Sequence, residues 1–248
     1  MTTVDAAGQL RRAGRELLGL VLPVGCAGCG LDDEPWCVDC RALLARPAWR
    51  CEHRAGRLNL LDGRTAPWWA VADFAGPVRR AVTAWKDQGR SDLSAPFGDA
   101  VRRAARAAAP TLRSVGPVLV VPLPSTAAAR RARGADPVRA LAVAAVDELV
   151  RLGVPASASA PLRRTRGADQ SGLSARARAR NLAGHVHVRR PAHVVGRSVV
   201  LVDDVLTTGA TAAAATAALS SAGAHVHAGL VLASTPPPGR LVGGPMAR

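Results

Sequence analysis

The chain has 248 residues and a formal net charge of +15, with 33 Lys and Arg against 18 Asp and Glu. This length predicts one domain with at most a small appendage, and no apolar run reaches the roughly 18 residues of a membrane helix. Collagen, coiled coils, membrane proteins and wholesale disorder are therefore excluded. Lysine occurs once, at Lys86, so nearly all of the positive charge is arginine, whose planar guanidinium fits phosphate.

An amphipathic helix is predicted at the start of the chain, over residues 5 to 22. A basic stretch followed by an apolar run and Cys26 imitates a short lipoprotein signal. Glu16 at the edge of the apolar run and Pro23 just before the cysteine argue against processing. We therefore expect a cytoplasmic protein with no membrane partner.

Four of the five cysteines follow the pattern C-x2-C-x7-C-x2-C: Cys26, Cys29, Cys37 and Cys40. Two pairs at this spacing can direct four thiolates at one tetrahedral ion, which predicts a structural Zn²⁺ site. The alternatives are a redox pair, which leaves the second pair unexplained, and disulfides, which do not suit the cytoplasm. Replacement of one ligand by Cys51 or His53 is a further alternative.

The residues near the middle of the chain predict an anion site. Residues 117 to 121 predict a buried strand, the turn after it contains Ser125, and a helix is predicted from about Pro137 to Arg151. Between the turn and the helix stand three arginines, Arg130, Arg131 and Arg133. Positive charge before a helix is unfavourable by itself and favours a bound anion, although a solvated basic helix start is the alternative.

The most basic part of the chain runs from residue 163 to 190, where eight Arg accompany one acid, Asp169, for a net charge of +7. Three glycines predict that much of this segment is a loop around a short helix over residues 174 to 182. Such a segment can bind phosphates of any origin, including a nucleic-acid backbone. Against a base-stacking platform, no aromatic residue follows Phe97.

The segment VVLVDDVLTTGAT, residues 199 to 211, is the most informative. A buried parallel strand is predicted over residues 199 to 202, and Asp203 and Asp204 follow it. The loop Thr207, Thr208, Gly209, Ala210 and Thr211 then opens a helix that runs to Ser221, and a strand from His225 completes a βαβ unit.

Each part of this unit suits a phosphorylated sugar. A Thr- and Gly-containing loop at a helix start offers backbone N–H groups, hydroxyls and the positive end of the helix dipole to a phosphate. Paired carboxylates at a strand end can accept hydrogen bonds from vicinal ribose hydroxyls. The alternative is a capped helix with two solvated acids. Neither a Walker A loop nor G-x-G-x-x-G after a strand is present.

Two acids after an apolar strand, followed by TTGAT, resemble the phosphoribosyl-pyrophosphate (PRPP) motif of type I phosphoribosyltransferases. The whole chain up to about residue 235 resembles the ComF family, whose members join a zinc knuckle to a phosphoribosyltransferase-like domain. The matching segments are the N-terminal helix with Pro23, the cysteine pattern, Phe74-Ala75-Gly76, Trp85-Lys86 with Gly89, Val121 to Pro124, Arg130 to Gly134, Gln170 to Leu173, and Arg180-Asn181.

This resemblance implies roles for individual residues. Asp203 and Asp204 would be the catalytic acids that hold the ribose 2′ and 3′ hydroxyls, and the loop Thr207 to Thr211 would cradle the 5′-phosphate. Pyrophosphate would lie at the Ser125 turn with Mg²⁺, which is held mostly by the ligand's own oxygens. The remaining candidates would neutralise pyrophosphate or close over the reaction: Arg130, Arg131, Arg133, Arg163, Arg164, Arg166 and Gln170.

The expected fold class is therefore α/β, a type I phosphoribosyltransferase-like parallel sheet with flanking helices, preceded by a helix and a zinc knuckle. We expect the knuckle module over residues 1–55, the phosphoribosyltransferase-like domain over 65–235 and a disordered tail over 236–248. The expected function is transfer of a 5-phosphoribosyl group from PRPP to an acceptor. The alternative is a catalytically silent protein that binds PRPP, a nucleotide or single-stranded DNA, the last through Trp68, Trp69 and Trp85, in DNA uptake. Ala135-Asp136-Pro137 stands where the family has an aromatic residue, Asn and Gln, so the acceptor is left open.

Overall fold

Apolar runs, several of them rich in Val, form the strands that organise the protein. The computed structural model describes residues 24–58, 65–125, 136–165 and 186–237. One sheet has six strands in the order β1-β2-β8-β7-β3-β4, and a second has only β5 and β6. The strands are β1 Trp49–Arg50, β2 Trp68–Asp73, β3 Val118–Pro122, β4 Ala156–Ala158, β5 Leu162–Arg164, β6 Val186–Val188, β7 Ser198–Leu206 and β8 His225–Ser234.

Helices cover both faces of the larger sheet, whose strands are all parallel except β1. The helices are α1 Val38–Leu44, α2 Gly76–Asp87, α3 Ser94–Leu112, α4 Pro137–Arg151 and α5 Ala210–Ser221. Helices α2, α3 and α4 pack on one face, where they share a core with Val200 and Val202. Helix α5 packs on the other face with Val199 and Leu201. Burial on both faces explains why β7 is apolar without alternation. The expected α/β fold class, a mainly parallel sheet with flanking helices, is confirmed.

The strand connections run in opposite directions across the sheet on the two sides of the β3–β7 pair. Strand β3 continues through α4 on one face to β4, whereas β7 continues through α5 on the other face to β8. In open α/β sheets, ligands bind outside the carboxyl ends of the strands at such a reversal. The topology therefore directs attention to the residues that follow β3 and β7.

The cysteine segment packs into the main domain. Cys26, Trp36, Cys37 and Leu44 belong to the same buried cluster as α2 and α3. Arg80 of α2 donates a hydrogen bond to the Gly28 carbonyl at 2.5 Å, and Arg90 donates to the carbonyls of Gly25 and Pro35 at 3.2 and 2.8 Å. The cysteine segment and the α/β domain thus share one core.

Two sequence predictions differ in outcome. Helix α4 spans Pro137–Arg151 and α5 ends at Ser221, as predicted. The strand predicted over residues 199 to 202 instead extends to Leu206 and includes both aspartates. Asp203 pairs with Val231 and Leu206 with Ser234, so the ladder to the long strand β8 outweighs the low strand preference of aspartate. The predicted helices over residues 5 to 22 and 174 to 182 lie outside the described residues.

Glu148 of α4 is a buried carboxylate that ties α3 to α4. It is only 4% exposed and accepts hydrogen bonds from Arg106 at 2.9 Å and from Arg151 at 2.7 Å. Hydrogen bonds from Arg151, followed by those from Arg106, lower the pKa of Glu148 although burial opposes the shift. The ionised form therefore stabilises the fold at neutral pH.

We expect Glu148→Gln to lower the free energy of unfolding by about 1–2 kcal/mol at pH 7, because charge-assisted hydrogen bonds are lost but the arginines are partly solvated. A carboxyl whose pKa is lowered by folding stabilises above its unfolded pKa, about 4.3. The deficit should therefore shrink as the pH falls through the lowered folded pKa. Urea unfolding at several pH values checks this. The neighbour Asp147, whose side chain is 60% exposed, supplies the control Asp147→Asn; an equal effect of both variants at every pH would contradict the prediction.

No helix among the described residues is long and apolar enough to cross a membrane.

Candidate functional site

A small cavity lies where β7 ends and α5 begins. It has a volume of about 50 Å³ and is lined by Asp203 and residues 205 to 212, which include the whole predicted phosphate loop. The N-cap residue Gly209 makes no side-chain cap to α5, and the Ala210 N–H donates a long hydrogen bond to Thr208 Oγ1 at 3.4 Å. The first turn of α5 and the positive end of its helix dipole thus face a space that would hold a group of a few water volumes. A phosphate has the charge and size for this cavity.

Gly209 brings the loop against a segment from the N-terminal part of the chain, residues 51–58. Its φ angle is +76°, and a Cβ atom there would lie 2.8 Å from Leu58 Cγ and 2.9 Å from Ala55 Cβ. The Arg57 N–H donates to the Thr208 carbonyl at 3.1 Å. Only glycine combines this conformation with this close approach. The 51–58 segment therefore supports the loop from outside the sheet.

Asp203 faces the cavity. The residue is half-buried, and its Oδ1 accepts the Asp204 N–H at 2.9 Å. Withdrawal from solvent and the adjacent Asp204 carboxylate raise the pKa of Asp203 well above its ordinary value. The cavity is thus lined by the predicted phosphate loop and by a carboxyl group.

Asp204 occupies a different environment from its neighbour. Its side chain is buried, its Oδ1 accepts the Val205 N–H at 2.8 Å, and its Oδ2 forms an ion pair with Lys86 Nζ of α2. Since successive strand residues point to opposite faces, Asp203 lies on the α5 side and Asp204 on the α2 side. Asp204 does not line the cavity.

The Ser125 turn follows β3 and the predicted phosphate loop, Thr207 to Thr211, follows β7, so both lie at the carboxyl edge of the sheet. Strands β3 and β7 are paired with Pro122 opposite Val202, and the Leu123 N–H donates to the Val202 carbonyl at 2.8 Å. This pairing brings the turn alongside the strand residue that precedes Asp203. The arginines predicted to follow the turn, Arg130, Arg131 and Arg133, lie outside the described residues.

The basic segment, residues 163 to 190, begins on β5 and ends two residues after β6, and these two strands form the small sheet. Arg163 and Arg164 lie on β5, where they pair with His187 and Val186 of β6, while Arg166 and Gln170 lie outside the described residues. A second cavity of about 510 Å³ lies at the base of this hairpin. Its lining includes Arg189, Arg190 and His193, all exposed, and it contains none of the predicted site residues.

The four predicted zinc ligands converge. The Sγ atoms of Cys26, Cys29, Cys37 and Cys40 all lie within 4.8 Å of one another, and those of Cys29 and Cys37 are 3.6 Å apart. Four sulfurs at the Zn–S distance of about 2.3 Å would be about 3.8 Å apart in a tetrahedron. The cluster fits Zn²⁺, and no disulfide joins any of these cysteines.

The local backbone is shaped for this cluster. A Cβ atom on Gly28 would lie 2.6 Å from Cys40 Sγ, so a side chain at this position would displace a ligand. Burial acts against ionisation of Cys26, but N–H groups of Cys29, Cys37 and Gly28 outweigh it and lower the pKa of Cys26 to about 6. Amide donors of this kind also stabilise metal-bound thiolates.

Cys51 is not part of the cluster. It is fully buried in the opposite core with Ala55 and Leu58, and burial raises the pKa of its thiol to about 12. The alternative in which Cys51 or His53 replaces a zinc ligand is therefore wrong, because neither belongs to the group of converging ligand atoms among the described residues.

The tryptophans proposed to stack on DNA are structural. Trp68, Trp69 and Trp85 are 1%, 6% and 5% exposed. Trp68 lies across Gly229 of β8, where a Cβ atom would come within 2.1 Å of the indole ring. Trp85 packs edge-on against Phe97 and donates to Ser94 Oγ at 2.9 Å. The stacking role is wrong, because these rings have no free face for a base.

Sequence reasoning missed two supports of the site: Lys86 as the partner of Asp204, and the 51–58 segment as the support of the loop. Lys86 carried a signal, since it is the single lysine among 33 basic residues. The 51–58 segment carried none, because its contacts with Thr208 and Gly209 join residues about 150 positions apart.

Comparison with known proteins shows similarity to solved structures. No protein-family model matches the chain, and no curated protein matches it. Among solved structures, the chain is similar to the crystal structure of orotate phosphoribosyltransferase from Aeropyrum pernix. The TM-score is 0.33 and the identity 19%, over 79% of this chain and 78% of that chain.

Proposed function

We propose that the protein binds PRPP with Mg²⁺ and transfers the 5-phosphoribosyl group to an acceptor, as its resemblance to the ComF family implies. The observation that carries the proposal is one cavity lined by both Asp203 and the loop Thr207 to Thr211. The alternative of a capped helix with two solvated acids is disfavoured, because the Asp203 side chain is half-buried and that of Asp204 is buried.

In this proposal the 5′-phosphate lies against the backbone N–H groups at the start of α5, with the Thr208 hydroxyl beside it. Asp203 accepts a hydrogen bond from a ribose hydroxyl. Pyrophosphate extends toward the Ser125 turn, which the pairing of Leu123 with Val202 holds next to β7. The helix dipole and the loop donors offset the negative charge of the ligand.

The reaction breaks the bond between C1 of the ribose and a pyrophosphate oxygen and forms a bond from C1 to a nucleophilic atom of the acceptor. Pyrophosphate leaves with the bonding electron pair, and the acceptor loses a proton. Mg²⁺, which keeps several waters and few protein ligands, would be held mainly by pyrophosphate and ribose oxygens. The chain contributes positioning and charge neutralisation rather than a covalent intermediate.

Zn²⁺ at the four cysteines has a structural role in this proposal. Four thiolate ligands leave no open position for substrate, so the metal cannot activate water. It holds the segment that packs against α2 and α3 and continues into residues 51–58, which contact the phosphate loop.

Asp203→Asn is expected to weaken PRPP–Mg²⁺ binding by about 30-fold, equivalent to about 2 kcal/mol, because the amide replaces one ribose acceptor with a donor. Isothermal titration calorimetry at fixed Mg²⁺ measures the affinity. Asp99→Asn removes an equal charge from an exposed site on α3, where the Asp99 side chain is 64% exposed, and should leave affinity unchanged. Absence of binding by the wild-type chain would overturn the proposed function.

Turnover is a separate question with a separate measurement. Pyrophosphate release from PRPP should appear with one member of a panel of purine and pyrimidine bases. Binding without release across the panel would favour the catalytically silent PRPP-binding alternative, with a role in DNA uptake. Oligonucleotide titrations at several salt concentrations examine DNA, since phosphate contacts by arginine require a steep salt dependence.

A further inference from the structure

Lys86 is the only lysine in the chain, and it forms an ion pair inside the protein. It lies one residue before the end of α2, with its side chain 30% exposed, and its Nζ meets Oδ2 of Asp204. The other ion pairs of the described residues all use arginine. In the part of the chain that the structure describes, the ion pair at the end of β7 is therefore made by a compact ammonium group and not by a guanidinium.

The partner of Lys86 needs a cation. The Asp204 side chain is 3% exposed, and a carboxylate withdrawn from water is unfavourable unless it is paired. The adjacent Asp203 carboxyl adds like-charge repulsion. Lys86 supplies the paired charge for Asp204, and its positive charge also favours the ionised form of Asp203.

Hydrogen bonds link the two acids to the backbone in sequence. Asp203 Oδ1 accepts the Asp204 N–H, and Asp204 Oδ1 accepts the Val205 N–H. A shift of the Asp204 carboxylate would therefore move the backbone between Asp203 and the phosphate loop. The ion pair with Lys86 fixes the Asp204 carboxylate on the α2 face of the sheet, opposite the face that carries the cavity.

We infer that Lys86 is a positioning residue for the PRPP site, acting through Asp204 on the strand end that carries Asp203. This inference rests on the proposed function. The inference gives the two aspartates different roles. Asp203 contacts the ribose, whereas Asp204, paired with Lys86, keeps Asp203 and the loop in place. Both roles depend on the opposite orientation of adjacent strand residues.

A double-mutant cycle measures the coupling. PRPP–Mg²⁺ affinity is determined by calorimetry for the wild type, Lys86→Met, Asp204→Asn and the double variant. Lys86→Met should weaken binding by about tenfold, because it leaves a buried carboxylate unpaired. In the Asp204→Asn background the same change should alter affinity by less than about twofold. Arg79→Met removes an equal charge from an exposed position on α2 and is the control for long-range attraction.

Each outcome decides the inference. An equal loss of PRPP–Mg²⁺ affinity from Lys86→Met in both backgrounds would indicate general electrostatics or packing and would overturn the inference. An unchanged affinity of the Lys86→Met variant would also overturn it. Thermal unfolding shows whether each variant folds. If Lys86→Met alone does not fold, the double variant, whose pair is uncharged, is compared with Asp204→Asn, and a further loss of more than about fivefold overturns the inference. Absence of PRPP binding by the wild type would overturn the proposed function itself. That result differs from wild-type binding that Lys86→Met leaves unchanged, which would overturn only this inference.

Discussion

Gly209→Ala is expected to weaken PRPP binding by about a hundred-fold, equivalent to about 2.7 kcal/mol. The residue has φ +76° and lies against Leu58 and Ala55, so an added Cβ would meet carbon atoms at 2.8 and 2.9 Å. Both the left-handed conformation and the contact oppose the methyl group. The loop must move away from the 51–58 segment, and its N–H groups then no longer converge on the phosphate position.

The chain offers a matched control for this substitution. Gly116 has φ +79°, and no atom lies within 4 Å of the position that its Cβ would take. Gly116→Ala should therefore incur the backbone strain alone, about 1–2 kcal/mol of unfolding free energy, with PRPP affinity unchanged. Calorimetry and urea unfolding of both variants separate the two effects. Retention of wild-type affinity by Gly209→Ala would contradict the proposed position of the phosphate.

Removal of zinc is the second change with a large expected effect. The protein should bind one Zn²⁺ per chain, and chelation should lower the melting temperature by about 10 °C or more, since about 4 kcal/mol corresponds to this shift in a chain of this size. The cysteine segment shares its core with α2 and α3, and Trp36 packs edge-on against Phe97. Loss of the metal would expose these rings, which tryptophan fluorescence detects as a red shift.

Cysteine variants identify the ligands independently of the chelator. Cys40→Ser should abolish zinc binding, measured by metal analysis of the purified protein. Cys51→Ala removes a thiol that is equally buried but belongs to the opposite core, so it should retain one Zn²⁺ per chain. A melting temperature that does not depend on zinc, or loss of zinc from Cys51→Ala, would contradict the four-cysteine site.

Local patterns predicted the elements on which the site is built. The apolar run before Asp203, the loop of Thr and Gly, and the alanine-rich helix after it are close in sequence, so their order determines a βαβ unit. The cysteine spacing likewise predicted four converging sulfurs, since two short loops are enough to bring each pair together. The error at the end of β7 arose because aspartate disfavours strands locally, whereas pairing with β8 is a contact between distant elements.

The sequence by itself determined the α/β class, the cysteine cluster and the order of acids, loop and helix, because each depends on neighbouring residues. Only the tertiary structure decided which face each acid occupies, which cation meets Asp204, and which segment supports Gly209. Those contacts join residues that are distant in the chain, and they depend on how helices pack on the two faces of a twisted sheet. The net charge of +15 therefore did not identify the cation that pairs with the buried Asp204, which among the described residues is the single lysine, Lys86.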